Sequence, residues 1–227
     1  MTDIDGTLTD RDRRLDPGAV TLLRRLERRG VPVILATGNV LPIALGVHRS
    51  VGLSGPIVAE NGGLVYSQVG GRDVVERLAD RSLAWAAYVK LRRAGIPVRR
   101  LFTDRWRETE IGLEPTVSES ALRRVLRGDP VDVEGTGFAI HLMERGHGKV
   151  VGLRHALRPL GLTLQECVVA GDGDNDVAML RGAGHAVSFV GASARARAAA
   201  DYVARRPNAR GFVEAVKRSP VLARRST

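Results

Sequence analysis

Short apolar segments alternate with helical segments near both ends of the chain, and this alternation restricts the fold more than any other feature. Asp16-Pro17 is typical of a helix start, and apolar residues then recur at helical spacing up to Leu26. Strands that alternate with helices are joined by right-handed crossovers, so the pattern predicts a parallel sheet with helices on its faces. The predicted strands are 31–36, 56–59, 167–170, 186–190 and 202–203. The predicted helices are 17–29, 42–49, 149–160, 177–181, 192–200 and 211–216, and 219–227 is predicted to fray.

The pattern changes in the middle of the chain. Helices are predicted at 83–93 and 119–126, and the strand-like stretches 109–113 and 137–143 alternate apolar with polar residues. Alternation is typical of an antiparallel sheet with one wet face. The sequence therefore predicts an α/β fold with a doubly wound, Rossmann-like core and an inserted α+β domain. The predicted core is residues 1–79 and 147–227, and the insertion is 80–146.

Polar residues that could bind ligands form four stretches, of which one stands at the start of the chain and three follow apolar segments. They are Asp3 to Thr7, Thr37-Gly38-Asn39, Glu60-Asn61 and Asp172 to Asp176. In open α/β sheets, ligands bind beyond the carboxyl ends of the strands. These four stretches are therefore predicted to meet at one site.

Asp3 and Asp5 are separated by one residue, so on an extended segment their side chains point to the same side. Two carboxylates held so close repel each other unless a cation lies between them or one takes a proton. Such a pair can supply a nucleophile and a general acid. A polar turn is the alternative interpretation of this stretch.

Three common ligand loops are excluded by spacing. An EF-hand loop starting at Asp172 would need glycine and glutamate where Val177 and Ala183 stand. Gly148-Lys149 lacks the upstream glycine of a phosphate-binding P-loop, and no strand is followed by a dinucleotide-binding glycine pattern. Metal-assisted phosphoryl transfer to an aspartate fits the residues better, because carboxylate oxygens suit Mg²⁺ and a lysine neutralises phosphate charge.

The net charge of +10 raises the question of nucleic-acid binding. The arginines are spread along the chain and aromatic residues make up only 4%, so no stacking platform is expected. The positive field would instead attract a small anionic substrate. No apolar run is long enough for a membrane span, and the single cysteine, Cys167, predicts a cytoplasmic protein.

The order and spacing of the polar stretches, with Lys149 between them, resemble the haloacid dehalogenase-like phosphatases. The resemblance implies that Asp3 is the nucleophile and Asp5 the general acid and base. It implies that the phosphoryl group is bound by Thr37, Gly38 and Lys149, with Asn175 as a supporting hydrogen bonder. Mg²⁺ is the implied cofactor, and its implied ligands are Asp3, the Asp5 backbone carbonyl, Asp172 and Asp176.

The insertion lies between Thr37 and Lys149, which resembles the subclass with a type-two cap. The stretches 36–41, 59–63 and 137–141 are most similar to archaeal phosphoglycolate phosphatases. The implied substrate is 2-phosphoglycolate; a sugar-phosphate phosphatase or phosphomutase on the same core stays open, as does a homodimer. A cap arginine such as Arg105 or Arg107 is a candidate for binding a substrate carboxylate, although each is also typical of a solvated surface. The rival of another class is a basic nucleic-acid-binding protein on an inactive scaffold.

One departure from the family pattern concerns the nucleophile. Family members have an apolar strand before it, whereas only Met1 and Thr2 precede Asp3. A central strand so short would leave its neighbours without ladder partners. The expectation is that the natural chain has several more N-terminal residues.

Overall fold

The computed structural model of the chain describes residues 1–219, so most of the segment predicted to fray lies outside the described residues. The α-helices of this range are α1 (Pro17–Arg28), α2 (Leu41–Val51), α3 (Arg81–Arg93), α4 (Glu119–Val125), α5 (Lys149–Leu157), α6 (Val177–Gly182), α7 (Ala194–Ala198) and α8 (Asn208–Arg218). The strands are β1 (Leu35–Ala36), β2 (Ile57–Ala59), β3 (Leu64–Val69), β4 (Arg72–Arg77), β5 (Ile111–Leu113), β6 (Val131–Gly135), β7 (Ile140–Glu144), β8 (Val168–Ala170), β9 (His185–Val190) and β10 (Tyr202–Pro207).

The first helix shows how the local sequence fixes an element. The carboxylate of Asp16 caps α1 by accepting hydrogen bonds from the backbone N–H groups of Gly18 and Ala19. Pro17 follows at the first helical position, where its missing N–H costs nothing. The helix buries Leu22 and Leu23 against the sheet side of the core. The predicted N-terminus of this helix is confirmed.

The main sheet is parallel at its centre, as predicted. β1 pairs with β2, and β8 pairs with β9, which pairs with β10, all in parallel. Thr2 joins the two halves by parallel bridges to Leu35 on one side and Ala170 on the other. The order across the sheet is therefore β4, β3, β2, β1, the segment at Thr2, β8, β9 and β10. The antiparallel hairpin of β3 and β4 extends one edge and was not predicted.

The predicted strand 31–36 is wrong in length, because only its last two residues are a strand. The backbone of Thr2 donates to Ile34 and accepts from Ala36, at 3.0 and 2.9 Å. The backbone N–H groups of Val31 and Val33 instead donate to Leu26 O and Glu27 Oε1 of α1, at 3.0 and 2.8 Å, and residues 31–34 are not assigned to a strand. An apolar cavity of about 190 Å³ lies beside this segment, lined by Met1, Val33, Leu157 and Phe212 among others.

The inserted residues form their own sheet, in which β7 lies between β5 and β6 and all pairs are antiparallel. This confirms the predicted sheet type, although β6 was not predicted. A second apolar cluster lies under this sheet and takes its members only from residues 83–142. The first cluster takes its members from residues 1–78 and 150–216. On this evidence we propose the boundaries 1–79, 80–146 and 147–219 for the core, the cap and the second core segment.

No helix within residues 1–219 has the length and apolar character that crossing a bilayer requires.

Candidate active site

Three of the four polar stretches meet at one pocket between the core and the cap, whereas Glu60-Asn61 lies behind its wall, where Asn61 contacts Asn175. The cavity measures about 40 Å³, and its walls are Asp3, Asp5, Thr37, Gly38, Thr136, Phe138, Asp172, Gly173, Asn175 and Asp176. Lys149 reaches the same place through its contacts with Asp3 and Asp176. The candidate catalytic, phosphate-binding and metal-binding residues therefore lie at this pocket, whereas the two cap arginines considered from the sequence do not line it.

The backbone after Asp3 turns sharply at Gly6, which has a φ of 85°. This left-handed conformation favours glycine. A Cβ atom at this position would also clash with the carboxylate of Asp172. Thr7, one residue further, donates its hydroxyl to Asp172 Oδ1 at 2.6 Å. Glycine at position 6 thus allows the first acidic stretch to approach the last one.

A buried lysine holds two of the carboxylates. Lys149 Nζ lies 2.6 Å from Asp3 Oδ1 and 2.7 Å from Asp176 Oδ1, and the lysine side chain is only 1% exposed. Burial alone would lower the pKa of Lys149, but the carboxylates of Asp176 and Asp3 raise it above its usual value. The ammonium is therefore charged at neutral pH and counters part of the negative charge.

The carboxylates of Asp3, Asp172 and Asp176 outnumber this ammonium. One oxygen of each lies within 4.8 Å of the others. Burial, together with repulsion from Asp176, raises the pKa of Asp172 to about 6. Burial also raises the pKa of Asp3, with Lys149 opposing and the two other aspartates adding to the shift. A further cation would relieve this repulsion, and a set of carboxylate oxygens is the donor type that Mg²⁺ prefers. The residues present therefore fit a magnesium ion.

Asp5 lies at the pocket but outside this acidic cluster. Asn39 Nδ2 donates to Asp5 Oδ2 at 2.6 Å, and Arg13 Nε donates to Asp5 Oδ1 at 3.2 Å. Neither Lys149 nor Asp172 forms a hydrogen bond with Asp5 in the described part of the chain. The two aspartates of the first stretch thus have different partners, as a nucleophile and a proton-transfer group require.

The candidate phosphate-binding residues are held in place by their neighbours. Thr37 is buried and its hydroxyl accepts the N–H of Asn39 at 3.0 Å. Asn175 donates to Asn61 Oδ1 at 3.1 Å, which fixes the amide at the pocket wall. Lys149, Thr37 and the backbone at Gly38 could bind phosphate oxygens together, as backbone nests and lysines do at other phosphate sites.

A buried polar network joins the core to the cap behind this wall. Asn61 donates to Glu110 Oε2 at 3.0 Å, and His141 Nδ1 lies 2.8 Å from Glu110 Oε1. Arg107 pairs with Glu110 and donates to the Gly38 carbonyl at 3.0 Å. Glu60 accepts hydrogen bonds from the N–H and hydroxyl groups of Thr109 at 2.9 and 2.8 Å. The network ties the pocket backbone to the position of the cap.

The pKa values of the two glutamates in this network are shifted in opposite directions. Burial and the neighbouring Glu110 raise the pKa of Glu60 to about 7. Burial would also raise the pKa of Glu110, but His141 and Arg107 lower it to about 2. Glu60 therefore takes a proton on folding at mildly acidic pH, whereas Glu110 stays ionised.

This contrast gives a pH prediction for stability. The pKa of Glu60 in the folded chain exceeds its ordinary value, so protonation of Glu60 stabilises the fold. This stabilisation is fully present below about pH 4.5 and is lost as the pH rises to about 7. The free energy of unfolding should fall by on the order of 3 kcal/mol over this range. Glu60→Gln should flatten this part of the profile, measured by urea unfolding at steps between pH 4.5 and 8.

A matched change provides the control for this profile. Glu119→Gln alters an exposed glutamate paired with Arg123 and should change stability by less than ~1 kcal/mol at each pH. If both variants kept the wild-type slope, Glu60 would not be the group responsible.

Several pocket residues were not predicted from the sequence. Asn39 belongs to the polar stretch Thr37-Gly38-Asn39 noted in the sequence, so its position after a strand could have indicated its role. Phe138 belongs to the stretch 137–141 that carried the family resemblance, although no role was predicted for it, whereas Thr136 and Arg13 had no such signal because only the folded chain brings them to the pocket.

The two cap arginines considered from the sequence take different positions. Arg105 is exposed and lies over the rings of Phe102 and Trp106, while Arg107 is buried in the network. Neither lines the pocket among the described residues.

Comparisons with known proteins show which family the chain resembles. A family model described as haloacid dehalogenase-like hydrolase matches residues 1–104 and 126–216. The phosphoglycolate phosphatase of Methanothermobacter thermautotrophicus is 40% identical over 217 residues, covering 95% of this chain and 96% of that protein. The crystal structure of Thermoplasma acidophilum 0175 has a TM-score of 0.83 at 25% identity, covering 94% of this chain and 93% of that one. A subclass IIB sugar phosphatase has the same fold, with a TM-score of 0.78 at 20% identity and coverage of 97% and 98%.

Proposed function

The chain belongs to the haloacid dehalogenase-like hydrolases and is a phosphomonoester hydrolase, and on that premise we propose that it converts 2-phosphoglycolate to glycolate and phosphate. The observation that carries the proposal is the pairing of Asp3 with Lys149 beside Asp172 and Asp176, with Asp5 held separately at the same pocket. Relatives named as phosphoglycolate phosphatases, at 40% and 37% identity over more than nine tenths of the chain, support this substrate.

In the proposed reaction, a carboxylate oxygen of Asp3 attacks the phosphorus atom and the bond to the ester oxygen breaks. Lys149 is charged and buried beside Asp3, so it can hold a phosphate oxygen while that carboxylate approaches. Thr37 and Gly38, directly after β1, bind the remaining oxygens of the phosphoryl group. The product of this step is an aspartyl-phosphate and a free alcohol.

Asp5 moves the proton in both halves of the reaction. It gives a proton to the leaving ester oxygen, and it then takes one from the water that hydrolyses the aspartyl-phosphate. The Asn39 amide, 2.6 Å from Asp5 Oδ2, fixes the carboxyl group in position for both transfers.

Mg²⁺ is the cofactor that we propose for this site. Asp3, Asp172, Asp176 and the backbone carbonyl of Asp5 would hold it. When bound, it would neutralise negative charge on the carboxylates and on the phosphoryl group. The hydroxyl of Thr7 keeps Asp172 oriented toward this place.

The cap contributes two residues to the wall of the pocket. Thr136 and Phe138, from the turn between β6 and β7, form its outer wall. The small cavity is consistent with a small ester such as 2-phosphoglycolate, and the cap residues on its wall would limit access of water. We also propose a cytoplasmic enzyme, because one cysteine allows no intrachain disulfide.

Phosphate release from a panel of esters, with Mg²⁺ and with a chelator, tests the proposal. We expect the highest kcat/KM for 2-phosphoglycolate and loss of turnover in the chelator. A sugar phosphate ranked first would favour the sugar-phosphatase alternative. Transfer of phosphate within a sugar would indicate a phosphomutase, and no release from any ester would overturn the activity.

A further inference from the structure

Arg13 is presented to the pocket by a short hairpin directly after the first acidic stretch. Thr9 and Leu15 pair in antiparallel fashion, and the carboxylate of Asp10 accepts the N–H groups of Asp12 and Arg14, each at 2.9 Å. Arg13 has a φ of 63°, a left-handed conformation that is unfavourable for a residue with a Cβ atom. The hairpin thus fixes the backbone from which the Arg13 side chain extends toward Asp5.

The guanidinium group lies between the core and the cap at the mouth of the pocket. Its Nε donates to Asp5 Oδ1 at 3.2 Å, and its central carbon lies 4.5 Å from the centre of the Phe138 ring. Asp5 and Phe138 both line the pocket, one from each domain. Within residues 1–219, the two terminal nitrogens of Arg13 have no hydrogen-bond partner. The side chain is 53% exposed, so a ligand can reach these nitrogens.

The other cations near the pocket either have another role or lie away from Asp5. Lys149 is shared between two buried carboxylates, and Arg107 is paired with Glu110 behind the pocket wall. Arg195 also keeps donors that no described residue accepts, but it pairs with Asp174 and lines a neighbouring cavity rather than the pocket that contains Asp5. Arg13 is the cation at this pocket whose terminal donors remain available among the described residues.

The chemistry of the proposed substrate places a carboxylate beside Arg13. In 2-phosphoglycolate, a single methylene separates the carboxylate from the ester oxygen that Asp5 protonates. A group in contact with Asp5 therefore lies next to the substrate carboxylate when the ester oxygen faces Asp5. Arginine can donate from Nε to one carboxylate and from its terminal nitrogens to a second.

We propose that Arg13 determines specificity by binding the substrate carboxylate, so that the enzyme prefers phosphate esters carrying a carboxylate one carbon from the ester oxygen. This inference rests on the proposed function and adds the residue that selects the substrate. Phe138 supports the guanidinium through its ring face, which attracts cations and keeps the group at the pocket mouth.

The test compares 2-phosphoglycolate with 2-hydroxyethyl phosphate, which has a neutral CH₂OH group in place of the carboxylate. Arg13→Gln should lower kcat/KM for 2-phosphoglycolate about 10- to 100-fold more than for the neutral ester, mainly through KM. Arg13→Lys keeps the charge and should recover part of the preference. Arg14→Gln removes the same charge from the same hairpin at an exposed site and should leave both values unchanged.

Each outcome decides between the two proposals. An equal loss for both esters in Arg13→Gln, in a variant with the wild-type melting temperature, would show that Arg13 only supports the pocket and would overturn the inference. In that case the proposed function would still stand, because the wild-type enzyme would turn over 2-phosphoglycolate. Wild-type turnover of the neutral ester without turnover of 2-phosphoglycolate would overturn both.

Discussion

Asp3→Asn is expected to abolish phosphate release, with a loss of roughly 10⁴-fold or more in kcat. The amide is neutral and cannot attack phosphorus to form the aspartyl-phosphate. The fold should survive, because Asn has the same shape and its oxygen can still accept the hydrogen bond from Lys149. Since the pKa of Asp3 is raised by its buried surroundings, removing this charge should not lower stability at neutral pH.

Three measurements test this prediction together. Steady-state phosphate release gives the loss of turnover, and thermal melting of both proteins tests the fold. Acid quenching with a labelled substrate should trap phosphate on the wild-type chain and none on the variant. Asp12→Asn, an equivalent change on an exposed aspartate, should behave as wild type in all three. Substantial turnover by freshly prepared Asp3→Asn would contradict the covalent mechanism.

The site was predictable from the sequence to the extent that its residues follow strands. A parallel sheet brings the carboxyl ends of its strands to one edge, and polar residues from three of the four predicted ends do meet at the pocket. Asp3, Thr37 and Asp172 are of this kind. Arg13 and Phe138 reach the pocket from a hairpin and from a cap turn, and their contact depends on how the two domains pack. No local pattern encodes that packing.

The fold was predictable where burial is continuous and less so elsewhere. β8 is almost fully buried and was recognised as an apolar run. β4 is exposed along most of its length, and its sequence is mostly polar, so no strand was predicted there. β6 alternates apolar and polar residues in Val131-Asp132-Val133-Glu134, which is the pattern of a half-buried strand, although no strand was predicted there. In 31–36, the apolar pattern was correct, but strand length depends on a partner, and Thr2 pairs only with the end of that stretch.

Lys149→Met is expected to be the most destabilising single change at the site. It removes the ammonium that lies 2.6 Å from Asp3 and 2.7 Å from Asp176, and leaves both carboxylates buried without it. Breaking a buried pair in this way costs about 3–5 kcal/mol, which for a chain of this size lowers the melting temperature by about 6–20 °C. Activity should also be lost, because the variant lacks the Lys149 ammonium that binds the phosphoryl group.

The pH dependence of this variant separates lost charge from lost packing. The pKa of Asp3 is already raised, and without the ammonium it would rise further. Its stability should therefore recover as the pH falls from 8 toward 5, more steeply than in the wild type. Lys90→Met removes an exposed ammonium 2.7 Å from Asp129 and should cost less than ~1 kcal/mol at every pH. If the two variants lost the same stability with the same pH profile, the buried ion pair would not hold the acidic cluster together.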